Sequence, residues 1–247
     1  MHRTLRALLA AAIVMTTFFP TNEAAQKKDR FYFERLGYAH WQVPTHRKVV
    51  ALTFDDGPDP TYTPQVLQLL ADYHDQATFF LIGRKVGEYP EIVRQTALLG
   101  NELGNHTFSH RHLAHMNAQE LAGELDQTQS AILQATGQRC KYFRPPRGYY
   151  DEPSVLTAHD HGYPVIMWSW DEDSRDWQAP GVHNIVNTVL KHVHPGDIIL
   201  FHDGTGNSRQ TIAALREILP ALHERGYQLV TISDLLRSAD HTDAESK

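Results

Sequence analysis

Short apolar runs alternate with segments of helical periodicity along most of the chain. Residues 49–54 form an apolar run of strand length; residues 64–73 carry an apolar helical face at Val66, Leu67, Leu69 and Leu70; residues 77–82 read as a second strand. Residues 90–99 are helical and stop at Gly100, where left-handed backbone is cheap, and a short strand comes next at 102–105. The longest helical stretch, 117–136, has Asn117 as N-cap, Glu120 three residues on and Gly137 as terminator. Further apolar runs at 142–143, 165–168, 197–201 and 228–232 are separated by helical segments at about 153–160, 183–193 and 209–225. Strand then helix, repeated about seven times, predicts an α/β fold of mainly parallel strands with helices outside. That number of units favours a (β/α) barrel over an open doubly wound sheet.

The ends of the chain depart from this pattern. Arg3 and Arg6 precede an uncharged run over residues 7–19, the n-region and h-region of an export signal, shorter than the roughly 20 apolar residues of a membrane span. The sequence therefore predicts an exported protein, secreted or held at the cell surface. Residues 1–25 are its signal peptide or retained N-terminal membrane anchor, 26–46 a polar connector with scattered aromatics that packs against the main domain, 47–237 that domain and 238–247 a solvated tail. A chain of 247 residues can bury one good-sized core, and a monomer is the expected state. The net charge of -6, with no basic stripe, argues against nucleic acid as a partner. Cys140 is the only cysteine, so an internal disulfide is excluded, and within "RCKYF" it reads as a small buried hydrophobe.

Polar clusters recur just after the predicted strands, where a parallel barrel gathers side chains into one cleft. Asp55 and Asp56 come after the first; "NHTFSH", "FRPPRG", "DSRDW" and "LFHDG" come after later ones. His106 and His110 are four apart, a spacing that brings two imidazoles to one side of a helical turn and suits a divalent metal. Among sixteen histidines such a pair is weak alone, but a strand-end carboxylate completes a facial set with open positions. The same set explains two adjacent aspartates, which repel unless something separates their tasks: one is held by the cation and the other is free to take a proton. A two-histidine, one-carboxylate iron oxygenase shares this ligand set, but gives no reason for the second aspartate, Asp55, to stand beside it.

"TFDDGP", "HTFSH", "RPPRG", "DSRDW" and "LFHDG", in this order and spacing over about residues 48–236, resemble the five motifs of the polysaccharide deacetylases with a NodB-type domain, carbohydrate esterase family 4. The resemblance implies a distorted (β/α) barrel of fewer than eight strands and a metal-assisted hydrolysis of N-acetyl groups on peptidoglycan or chitin-like oligosaccharides, releasing acetate. It implies Asp56, His106 and His110 as metal ligands, Asp55 as general base, and Arg144 as the arginine that holds it. His202 is implied as general acid and Asp176 as the carboxylate that orients it. Trp177 and Leu200 are implied as apolar walls around the acetyl methyl, and Arg147 as the source of a backbone N–H for the oxyanion. The implied ion is Zn²⁺ first, with Co²⁺, Ni²⁺ or Mn²⁺ compatible with the same ligands. Arg147 stands where the family often has an aromatic residue, and a guanidinium there would suit an acidic polymer. "MWSWDEDSRDW" offers Asp171, Asp173 and Asp176, and is two residues longer than in some family members, so Asp176 is the first assignment and Asp173 the second. The rival readings are an O-deacetylase of acetylated xylan and a carbohydrate-binding homologue without turnover.

Overall fold

The structure is a computed structural model that describes residues 28–239; the expected export signal or anchor at 1–25, and all of the expected tail beyond residue 239, lie outside the described residues. In chain order the elements are α1 (Arg30–Arg35), β1 (Ala39–His40), β2 (Val49–Asp55), α2 (Thr63–Tyr73), β3 (Thr78–Leu81), α3 (Gly83–Glu88), α4 (Pro90–Leu98) and β4 (Glu102–Asn105). The second half contains α5 (Ala118–Thr136), α6 (Glu152–Asp160), β5 (Val165–Ile166), α7 (Val182–His192), β6 (Ile198–His202), α8 (Arg209–Glu224), β7 (Gln228–Leu229) and α9 (Ile232–Arg237).

Strand β2 is buried at every position, which is why its sequence is continuously apolar instead of alternating. It pairs in parallel with β3 on one side and β6 on the other, and with β7 at its start, while β4 extends the sheet beyond β3. A second parallel pair joins β1 to β5. Single parallel bridges from Asn105 to Phe143 and from Phe143 to Val165 carry the neighbour order from β4 to β5, and an antiparallel bridge from Gln42 to Asp197 brings the end of β1 beside β6. The strands thus succeed one another around an α/β ring that is continuous in its larger sheet and held by isolated bridges elsewhere. This is the mainly parallel architecture that the alternation predicts.

Most elements fall where the hydrophobic pattern puts them. Helix α5 starts on the full reciprocal cap, Asn117 Oδ1 accepting from Glu120 N and Glu120 Oε2 from Asn117 N, and ends at Gly137 with φ of 74°. Two differences have local causes. Helix α3 is absent from the pattern, because its two glycines read as breakers; a Cβ on Gly83 would meet Thr128 Oγ1 of α5 at 2.6 Å, so the glycine serves close helix packing. The apolar run 228–232 is split, because the Thr231 side chain accepts from Asp234 N and starts α9.

The polar segment before β2 carries two large core side chains, Phe33 and Trp41, both fully buried. Trp41 packs edge-on to Tyr150, and its carbonyl accepts from Ser169 Oγ. Trp41→Ala is expected to cost about 3–5 kcal/mol in urea denaturation, the range for emptying a buried aromatic site. A loss below about 1 kcal/mol would show that residues 28–46 are an appendage and not part of the packed body.

Candidate active site

The pairing of β2 with β6 sets the first feature of the site. Asp55 and His202 are register partners at the C-terminal ends of these two parallel strands, so their side chains emerge together at one rim. Directly behind Asp55 lies Arg144, which is fully buried. Its Nη1 donates to Asp55 Oδ1 at 2.9 Å and to Thr53 Oγ1 at 2.7 Å, Nε donates to Ile166 O, and Nη2 to Met167 O. The guanidinium also lies 4.2 Å from the centre of the Phe80 ring. Burial works to lower the Arg144 pKa and the Asp55 carboxylate opposes it, as expected for a cation held in the interior by one counter-ion. One Asp55 oxygen is thereby committed, and Oδ2 points toward His106, 3.7 Å from its Nε2.

Asp56 leaves the strand with φ of 71°, in the left-handed region, and its carboxylate joins a different group. Oδ1 lies 3.5 Å from His106 Nε2 and 3.1 Å from His110 Nε2. The imidazoles meet without a helix, contrary to the helical turn expected from their spacing. Thr107 and His110 both have positive φ, and the Thr107 hydroxyl accepts from His110 N, so a tight loop folds the second ring back toward the first, with centroids 5.0 Å apart. His106 Nδ1–H donates to the Arg144 carbonyl at 2.7 Å, which fixes the ring and turns Nε2 to the carboxylates.

This donor set fits a divalent ion. Asp56 Oδ1 is buried and has no hydrogen-bond partner although two ring nitrogens flank it. Burial works to raise the Asp56 pKa, but the two imidazoles outweigh it and hold the carboxyl below the ordinary range. Burial likewise works against a charged His106, and Asp55 and Asp56 outweigh it in the other direction. Both shifts express one demand, positive charge between these atoms, and two nitrogens with a carboxylate are ligands for a borderline ion such as Zn²⁺.

His202 is held from below. Its Nδ1–H donates to Asp176 Oδ1 at 2.7 Å, its backbone N–H donates to Asp176 Oδ2, and Thr211 Oγ1 donates to the same oxygen. Burial lowers the His202 pKa, but Asp176, with help from Asp55 and Asp56, pushes it up to about 9. The structure therefore pairs Asp176 with His202, whereas Asp173 accepts from Arg175 N. Asp55, Asp56, His106, His110, Arg147, Trp177, Leu200 and His202 all line one cleft of about 610 Å³; Arg144 and Asp176 stand behind its wall. Trp177 is half-exposed at the cleft, Leu200 is buried in its floor, and Arg147 has φ of 59°.

The motif reading gave no role to the supports of this rim. Asp203 is fully buried beside Gly57, its carboxylate accepts from Thr63 Oγ1, and burial pushes it up to about 7. Lys85 Nζ donates to both the Asp56 and Gly204 carbonyls, tying the two strand-end loops together. A Cβ on Gly204 would sit 1.9 Å from the Asp56 carbonyl oxygen, so the glycine is required by that approach. In the sequence Thr63 and Lys85 are an ordinary helix start and a surface-type lysine, and nothing local marks them.

A proton acceptor tied to a buried arginine, a proton donor raised by a carboxylate and a ligand set for an electrophilic ion, gathered at the strand ends of a parallel α/β ring, are the groups of a hydrolase. The sequence profile described as polysaccharide deacetylase matches residues 42–166. A peptidoglycan-N-acetylglucosamine deacetylase of Bacillus cereus is 46% identical over 204 residues, covering 83% of this chain and 95% of that protein. A chitooligosaccharide deacetylase of Azorhizobium caulinodans is 36% identical over 200 residues, covering 76% of this chain and 94% of that protein. The solved structure of a peptidoglycan N-acetylglucosamine deacetylase in complex with 4-naphthalen-1-yl-N-oxidanyl-benzamide superposes with a TM-score of 0.80 at 32% identity, covering 85% of this chain and 98% of that one. The chain belongs to the polysaccharide deacetylase family, with the NodB-type domain, and is a hydrolase of that family.

Removing one partner of the Arg144–Asp55 pair strands the other charge in the interior. Arg144→Met is expected to cost about 3–5 kcal/mol in chemical denaturation, several times the loss from an exposed ion pair. The His202 interaction carries a pH signature. A histidine raised to about 9 when folded, from an ordinary value near 6.5, contributes stability that is full below about 6.5 and lost as pH rises through 9. In Asp176→Asn that alkaline loss should shrink, and the NMR titration midpoint of His202 should fall toward neutrality; an unmoved midpoint would mean that Asp176 does not set it.

Proposed function

We propose that the chain is a metal-dependent deacetylase that hydrolyses N-acetyl groups on amino-sugar polysaccharides, peptidoglycan first and chitin-like oligosaccharides second, releasing acetate. The observation that carries this reading is the division of labour between Asp55 and Asp56. One is locked to Arg144 beside His202, and the other is turned to two imidazoles. The likeness to peptidoglycan and chitooligosaccharide deacetylases supports the substrate class. We also propose that the protein acts outside the cytoplasm, as the N-terminal signal pattern suggests. Among the described residues no helix is long and apolar enough to cross a membrane.

Asp56, His106 and His110 would hold the ion, Zn²⁺ by preference, which when bound would polarise the acetyl carbonyl and bring the pKa of a water down to about 7. Asp55 takes the proton of the attacking water. Arg144 Nη1 donates to that carboxylate, and its bonds to the Ile166 and Met167 carbonyls hold the pair still. The Arg147 backbone N–H serves the developing oxyanion, and Trp177 and Leu200 wall the acetyl methyl. His202, its Nδ1 committed to Asp176, offers the proton on Nε2 to the leaving nitrogen. The C–N bond breaks as this proton arrives, the new C–O bond leaves acetate, and the sugar departs as an amine. His202 starts protonated, because the Asp176 carboxylate pushes it in that direction.

The test is acetate release by the metal-stripped and Zn²⁺-reconstituted protein from N-acetylglucosamine oligomers, peptidoglycan and acetylated xylan. Turnover is expected on the first two and to depend on the ion. Saturable binding without acetate would identify a silent binder, and preference for xylan an O-deacetylase. Asp55→Asn is expected to keep the metal and lose about 10²–10⁴-fold in turnover, whereas His106→Ala loses both. Near-full activity in Asp55→Asn would remove the base assignment. Cell fractionation should find the protein outside the cytoplasmic membrane; a cytoplasmic pool alone would refute export.

A further inference from the structure

A second group of ligand-type side chains lies at the opposite end of β6 from His202. Asp197, the residue before that strand, and Glu172, in the segment between β5 and the Asp176 turn, are both buried, at 5% and 2% exposure. Their carboxylates and the exposed His194 ring offer one atom each within 4.8 Å of one another. His194 Nδ1 stands 3.9 Å from Glu172 Oε1 and 3.9 Å from Asp197 Oδ2. Among the described residues it is the one basic side chain within 4.0 Å of either acid.

Asp197 is partly satisfied, since Oδ1 accepts from Ser169 Oγ at 3.0 Å and Oδ2 from the His194 backbone N–H at 2.6 Å. Glu172 is not: its Oε2 is buried and has no hydrogen-bond partner. Two buried carboxylates side by side are strongly disfavoured unless something neutralises them. A proton held between them is one neutraliser, and burial, together with Asp197, pushes the Glu172 carboxyl up to about 8. A cation is the other. An imidazole nitrogen equidistant from both acids, with an oxygen left over, is the arrangement a cation uses and a shared proton does not require. One neutral imidazole and two carboxylates suit a borderline divalent ion; tetrahedral bonds of about 2.0–2.2 Å put ligand atoms roughly 3.3–3.6 Å apart, a few tenths of an ångström inside the spacing here and within a small swing of the exposed His194 ring.

We propose that Glu172, Asp197 and His194 form a second divalent-cation site of Zn²⁺ type, separate from the cleft, that ties the segment carrying Asp176 and Trp177 to the start of β6. None of the three lines the cleft, so the role is structural. With its imidazole on the surface, the site loads and empties from solvent, and its remaining positions are open to water.

Calorimetric titration of Zn²⁺ into the chelator-stripped full chain, with metal content then read by mass spectrometry, tests this directly. His194→Ala is expected to lose one equivalent relative to the wild type and to melt at the wild-type temperature when metal-free, because the side chain it removes is exposed. Glu172→Gln should lose the same equivalent, and His110→Ala the other one. Unchanged stoichiometry in His194→Ala would overturn the proposal and leave the shared proton as the neutraliser. The readout is bound metal, so a failure of the deacetylase reading, seen as no acetate release, is distinguishable from a failure here.

Discussion

The buried Arg144–Asp55 pair is the interaction on which the rest of the site depends. A guanidinium with no exposure to solvent is stable only if nearly all its donors are used, and here they are spent on a carboxylate, a threonine hydroxyl and two backbone carbonyls. Those carbonyls belong to the segment running through and beyond β5, so one side chain fastens the central strand β2 to the far side of the ring. The Arg144 carbonyl in turn accepts from His106 Nδ1–H. A single residue therefore positions the Asp55 carboxylate with its side chain and an imidazole with its backbone.

The same dependence orders the remaining parts. His202 owes its place beside Asp55 to strand register, and its charge to Asp176 on a turn far away in sequence. Asp203, Lys85 and Thr63 hold the two strand-end loops against each other closely enough that Gly204 admits no side chain. Preorganisation of this kind is what lets fixed charges act without rearranging at the moment of reaction.

Much of this is legible in the sequence because the fold is made of local signals repeated. Continuous apolar strands, capped helices such as α5 and polar clusters at strand ends each arise from short-range chemistry, and together they imply a parallel α/β ring with its chemistry on one rim. The site is legible where several motifs have to agree: Asp55, Asp56, His106, His110 and His202 are placed at one cleft by the structure. Three kinds of feature are not legible. The His106–His110 loop uses left-handed residues in place of a helical turn, which spacing alone cannot distinguish. Helix α3 hides behind two glycines, of which Gly83 serves packing against α5. The Lys85 and Thr63 contacts join residues more than a hundred positions from Gly204 and Asp203, and such long-range pairs leave no trace in a local pattern.

The backbone reversal at Asp56 has an evolutionary reading. Because the chain turns there, two neighbouring acids face separate partners, yet both sides stay joined through Arg144, whose side chain holds Asp55 and whose carbonyl holds His106. On the proposed function, a change at the first would remove the proton acceptor and a change at the second an ion ligand, two distinct losses from adjacent positions. A single positive φ thus gives adjacent codons unlike surroundings.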